Sequence, residues 1–176
     1  MDASILILRL IVGLYVFAHG TQKLFGWFAA SAPANADAVF TESGLRPAKF
    51  WASLLGITEA VGAALFATGL LSPLGSIWIG GAMLVSVLGL RLSKGLFEFR
   101  GGIELPLTNL AVAVAVGITG PGLYSIDAVL GITLREFRVA VVAMILAYLV
   151  VVAALTPWLS LDSGSAAESS QIGQAV

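Results

Sequence analysis

Five stretches of this chain are apolar for longer than a soluble fold tolerates, at positions 4–28, 48–71, 73–92, 104–119 and 135–158. A bilayer core of roughly 30 Å needs about 20 apolar residues per helix. Transmembrane β-strands would instead show alternation in segments of about ten. The runs here are continuous and mostly longer, so they predict an all-α polytopic bundle. Composition agrees: 59% of the residues are hydrophobic, 11% are charged, and the mean hydropathy is +0.99. Soluble domains carry about 25% charged residues. At 176 residues the chain reads as one transmembrane domain over 1–158, with a small, polar, disordered tail over 159–176.

The connections are as informative as the spans. "AASAPANADAVFTESGLRP" reads as a loop whose Val39, Phe40 and Leu45 lie on the membrane surface. "LSPLG" is a tight turn, with Pro73 at a helix start. "RLSKGLFEFRGGIELP" breaks the hydrophobicity with Arg91, Lys94, Glu98, Arg100 and Glu104. "GPGLYSID" is a turn by its Gly-Pro-Gly core. "TPWLSL" ends the fifth span, with Trp158 as an interfacial anchor. The N-terminus lacks the basic region of a secretory signal, so the first span is expected to be a retained anchor. Arg46, Lys49, Arg91, Lys94 and Arg100 fall on one membrane side, here side B. Arg135 and Arg138 fall on the other, side A. The positive-inside rule would make side B cytoplasmic if these charges set topology rather than form a site.

Several function classes are excluded by composition. A net charge of -1 with no basic patch gives nucleic acid nothing to bind. With no cysteine there is no thiolate nucleophile, disulfide exchange, iron–sulfur ligation or thiolate metal site. The single histidine excludes internal bis-histidine haem ligation, and no metal site is read from the sequence.

The first span, "RLIVGLYVFAHGTQKLFG", nevertheless holds an arginine, a histidine and a lysine. At roughly 100° per residue, Arg9, Gly13, Val16, Gly20 and Lys23 share a narrow stripe, with His19 at its edge. Small residues let membrane helices approach, and charged groups face the bundle interior. The stripe therefore faces inward. For Arg9 and Lys23 the plainer alternative is snorkelling to the interface, and for His19 a structural hydrogen bond. Glu59 stands mid-span in "LLGITEAVGAALFATG", where a lone carboxylate costs at least ~2.5 kcal/mol. It shares a stripe with Gly62, Phe66 and Gly69. Antiparallel packing puts Glu59 at about the depth of His19. Its expected partner is Lys23, His19 or a cation of the third connection; the alternative is a protonated acid bonded to a backbone carbonyl. Lys23, Arg91, Lys94 and Arg100 would then ring the mouth of a pocket with Glu59 and His19 at its floor. Glu104 and Asn109 project from the short fourth span. The alternative there is an ordinary charged juxtamembrane loop. On side A, Arg9 is expected to pair with Asp127 as a structural ion pair.

"RLIVGLYVFAHGTQKLFG", "TEAVGAALFATGL", "GGIEL" and "GPGLYSID" together resemble the DoxX family of small bacterial membrane proteins, over roughly residues 5 to 130. The motif positions are Arg9, His19, Lys23, Glu59, Gly102, Glu104 and Asp127. The resemblance implies a four-helix core, from which the fifth span departs, in a bacterial inner membrane. It also implies a subunit linked to redox or sulfur metabolism: part of a thiosulfate:quinone oxidoreductase, or a scaffold for superoxide dismutase and a sulfurtransferase. Three functions stay open on this reading. One is a quinone-linked subunit, in which His19, Lys23 and Glu59 supply donors and a proton relay and the basic mouth admits an anion. The second is a non-catalytic scaffold for peripheral redox enzymes. The third is a small-molecule transporter. No cofactor is built into the chain itself; a bound quinone, other redox subunits, membrane lipid and a second copy of the chain are the partners considered.

Overall fold

Inside a bilayer only a helix satisfies every backbone group within one segment, and the described parts of the apolar runs are predominantly helical. The computed structural model describes residues 1–28, 32–42, 44, 46–132 and 142–153. Its helices are α1 (Asp2–Phe25), α2 (Ala32–Glu42), α3 (Ala48–Thr68), α4 (Ser72–Leu84), α5 (Glu104–Thr119), the four-residue α6 (Ile126–Val129) and α7 (Val142–Ala153). No strand occurs among the described residues. α4 continues through a π-helical stretch, Val85–Arg91, and a 3-10 turn, Leu92–Lys94. α1, α3 and the continuous helix Ser72–Lys94 are long and apolar enough to cross a membrane; α5 and α7 are shorter apolar helices. The fold is an all-α bundle.

α1, α3, α4 and α5 form an antiparallel four-helix core, each packed on the next and α5 closing against α1. α7 lies outside it, reaching α4 through Tyr148, whose Oη donates to Ser76 O at 2.9 Å. The first connection differs from expectation: 32–42 is helical, and Phe40 is buried in the core cluster rather than lying on the membrane surface. Its alanines favour a helix, and Phe40 loses more water-facing apolar area against α3 than at an interface. Leu45 lies outside the described residues, as do Arg135, Arg138 and Trp158 of the expected fifth span and all of 159–176.

Small residues set the close seam between α1 and α3. A Cβ built on Gly20 would stand 2.5 Å from Ala60 N and 2.8 Å from Gly56 O, and one on Gly13 would stand 2.7 Å from Ala67 Cβ. Backbone cannot retreat from such contacts as a side-chain tip can. Gly20→Leu is therefore expected to destabilise the fold by about 3 kcal/mol, the upper end for overpacking, measured as unfolding in denaturing detergent. Leu14→Phe, on the exposed face of the same helix, should change little.

Candidate functional site

The stripe of α1 faces inward as its spacing requires, and Lys23 reaches Glu59 on α3. Lys23 Nζ donates to both carboxylate oxygens of Glu59 at 2.5 Å. Glu59 is 2% exposed, too deep for its charge to be met by solvent. The pair removes the ~2.5 kcal/mol or more that a lone mid-span carboxylate would cost. Of the partners open to Glu59 on sequence grounds, the lysine holds it.

The pair forms one wall of a cavity of about 70 Å³ between α1, α3, α5 and the end of α4. Tyr15 and His19 line it from α1, Ser86 and Arg91 from the α4 continuation, and Asn109 from α5. Tyr15 and His19 sit edge to face with ring centroids 4.6 Å apart, as one-turn neighbours on a helix can. Arg91 Nη1 donates to both oxygens of Glu98 at 3.0 Å and to Gly102 O at 3.3 Å.

The π-helical stretch explains how Ser86 and Arg91 reach the same cavity. Five residues at about 100° each would leave them about 140° apart on an α-helix. The wider i→i+5 turn brings residues five apart onto one face, and such insertions are frequent at functional sites.

The third connection is built as a brace. Glu104 Oε2 accepts from Glu98 N at 3.1 Å, while Ile103 N and Glu104 N donate to Gly95 O and Leu96 O at 3.1 and 2.9 Å. Gly102 lies so close to this strand of loop that a Cβ there would stand 2.5 Å from Gly95 O. Lys94 and Arg100 do not line the cavity. Both are exposed: the Lys94 stem lies by Gly101, and the Arg100 guanidinium sits 5.4 Å over the Phe99 ring. So the expected ring of four cations is two cations, Lys23 and Arg91, each already matched by a carboxylate. Glu104 acts one step back, through Glu98. Tyr15, Ser86 and Glu98 were not among the site residues expected from sequence. Tyr15 was legible, four residues before His19 and eight before Lys23. The π turn that delivers Ser86 has no sequence signature here.

On side A the expected Arg9–Asp127 ion pair is not made. Arg9 is buried and donates to four carbonyls: Nε to Phe66 O at 3.0 Å, Nη2 to Ala67 O at 2.9 Å, and Nη1 to Pro121 O and Tyr124 O at 2.6 and 3.0 Å. Asp127 accepts from Leu71 N at 2.8 Å and from Ser72 N and Oγ at 3.0 Å. The two charges cap opposite ends of one turn. The cation meets the orphan carbonyls at the end of α3 and the anion meets the orphan amides at the start of α4.

The sequence model of the DoxX family matches residues 4–92, from the first turn of α1 to the end of the π turn. No curated protein and no solved structure matches the chain. The match includes both helices of the Lys23–Glu59 pair and reaches just over half of the 176 residues, and on that ground the chain belongs to the DoxX family of membrane proteins.

Proposed function

We propose that this protein is a membrane-embedded accessory subunit of a redox complex, and that its polar cavity takes the head group of a quinone. The observation that carries this reading is the buried Lys23–Glu59 pair, set in a cavity that also presents a phenol, an imidazole, a hydroxyl and a carboxamide. Those groups fit a neutral head bearing carbonyl oxygens: Tyr15, His19, Ser86 and Asn109 all can donate to oxygen. The two ion pairs leave the cavity without net charge, which favours a neutral ligand over an anion such as thiosulfate. At about 70 Å³ the enclosed space is far below the roughly 300 Å³ of an ordinary small-molecule pocket. It therefore suits the edge of a head group entering from side B, its bulk remaining at the mouth. When bound, a quinone supplies two-electron chemistry coupled to proton uptake. The chain's own part is to orient the carbonyl edge with Tyr15 and Asn109. His19 lines the same cavity as the Lys23–Glu59 pair, and its part is to exchange a proton with the bound head group.

A transporter fits less well. Val12, Val16, Ala63, Phe66, Ile79, Ala113 and Val116 form a buried apolar layer on the side A flank of the cavity. A polar solute would have to cross it unaided. The scaffold reading draws on a different feature: Phe97 and Phe99 stack 5.7 Å apart on the third connection, both exposed.

The test is binding of a short-chain quinone analogue to purified protein. His19→Ala and Asn109→Ala are each expected to weaken it roughly tenfold, about 1.4 kcal/mol, with the fold intact by circular dichroism. No binding by the wild type, or equal binding by both folded variants, would remove the quinone reading. Loss of co-purifying enzymes on Phe97→Ala, with His19→Ala retaining them, would then favour the scaffold.

A further inference from the structure

A second cavity lies on the opposite face of α3 and α4 and plays no part in the polar site. It is a groove of about 410 Å³ floored by α4, walled by α3 on one side and α7 on the other, and closed at one end by Phe40 of α2. The walls are helical stripes at turn spacing: Trp51, Leu55 and Thr58 on α3, Trp78 and Ala82 on α4, Ala147 and Val151 on α7. No charged residue lines it. Its hydroxyls are spent, Thr58 Oγ1 on Leu54 O at 2.8 Å and Tyr148 Oη on Ser76 O at 2.9 Å.

We propose that this groove is a binding site for one acyl chain of a bilayer phospholipid. Three observations carry it. The groove runs along α3 and α4, which lie in helices long and apolar enough to cross a membrane, and Trp51 and Leu54 on its rim are exposed, so its open side is the side a spanning bundle turns to lipid. With no charge and both hydroxyls internally bonded, it offers a ligand dispersion and burial alone, which is what a methylene chain returns. Its size is also right. The eight residues from Trp51 to Thr58 rise about 10 Å, and at roughly 30 Å³ per small group, the share of one water in the liquid, the volume holds on the order of a dozen carbons. A void of that size left empty would cost the lining its contacts.

Gly81 gives a clean way to fill it. A Cβ there meets nothing nearer than Val151 Cγ2 at 4.0 Å, so Gly81→Leu places a side chain in the groove without striking backbone. The experiment uses a variant retaining only Trp78, with Trp27, Trp51 and Trp158 changed to Phe, in vesicles of phosphatidylcholine brominated on one acyl chain. Bromine quenches indole emission at contact. Trp78 is expected to be quenched, and Gly81→Leu is expected to reduce that quenching at least twofold. A variant retaining only Trp27, exposed at the end of α1, should be quenched equally with and without Gly81→Leu. Quenching of Trp78 that Gly81→Leu leaves unchanged would overturn the proposal, since ordinary lipid contact would account for it. Emission untouched by bromine would also overturn it, since protein would then cover the groove. If Gly81→Leu does not fold, Ala147→Phe from the α7 wall is read by the same criteria.

Discussion

Glu59→Gln alone should destabilise the protein more than removing both charges with Lys23→Met and Glu59→Met together. The single change leaves an ammonium facing a carboxamide in a nearly buried place, and breaking a buried pair from one side costs about 3–5 kcal/mol. The double change removes both desolvation costs and keeps similar volume, and such replacements are often neutral or stabilising. Lys23 retains 23% of its side-chain exposure against 3% for Glu59. The asymmetry has a consequence. Lys23→Met should be the worse single change, because Glu59 has no route to water while Lys23 can swing toward side B. Unfolding in denaturing detergent gives these three values, and with Glu59→Met as the fourth variant it closes the cycle that gives the coupling between the sites. Equal, small losses from both singles would mean that neither group is charged in the fold. A quinone analogue bound as tightly by the double variant as by the wild type would separate the pair from ligand binding altogether.

Much of this arrangement is legible in the sequence. Apolar runs at 48–71 and 104–119 became α3 and α5 because a bilayer leaves such segments no alternative structure. The inward stripe of α1 was readable because glycine and charge recur together at helical spacing, and both are expelled from lipid-facing positions. Depth, counted at a fixed rise from opposite ends of antiparallel helices, brings Glu59 level with His19 and within reach of Lys23, but the choice of Lys23 among its three open partners comes from the structure. What escaped was whatever depends on departures from that regular geometry. Ser86 and Arg91 share the cavity only through a π turn. Lys94 and Arg100 were grouped with Arg91 by sequence proximity, but a loop of 3-10 turns points neighbouring side chains in unrelated directions. Phe40 sits in a segment too short and polar to read as packed, and only the surface of α3 makes burying it worthwhile. For Arg9 the error was one of partner. Charge sign suggested Asp127, whereas four carbonyls at a helix end offer a planar guanidinium better-placed acceptors than one carboxylate does.

That last substitution of partners leads to the largest expected loss. Arg9→Met should cost about 4 kcal/mol or more, because a single residue satisfies Ala67 O at the end of α3 together with Pro121 O and Tyr124 O of the loop after α5. Each carbonyl left buried without a donor costs roughly 1–3 kcal/mol. Arg9→Lys should recover only a minor part. Lysine keeps the charge and has three donors, but they radiate from one nitrogen, while the guanidinium spreads its donors across a plane that spans α3 and the loop. Asp127 adds a linked expectation. The turn between α3 and α4 contains Leu71 at φ 47°, a left-handed conformation uncommon for leucine, and Asp127 accepts from Leu71 N and Ser72 N. Asp127 N in turn donates to Gly69 O at 3.0 Å, and a Cβ on Gly69 would stand 2.5 Å from Arg9 Nη2. Arg9 and Asp127 thus grip the two halves of one strained turn without touching. Their separate losses should therefore not add: Arg9→Met with Asp127→Ala should cost less than the sum by about 1 kcal/mol or more, as for residues coupled through shared backbone. Strict additivity in that cycle would mean that each holds its own helix end independently, and that the side A turn is not a single cooperative clamp.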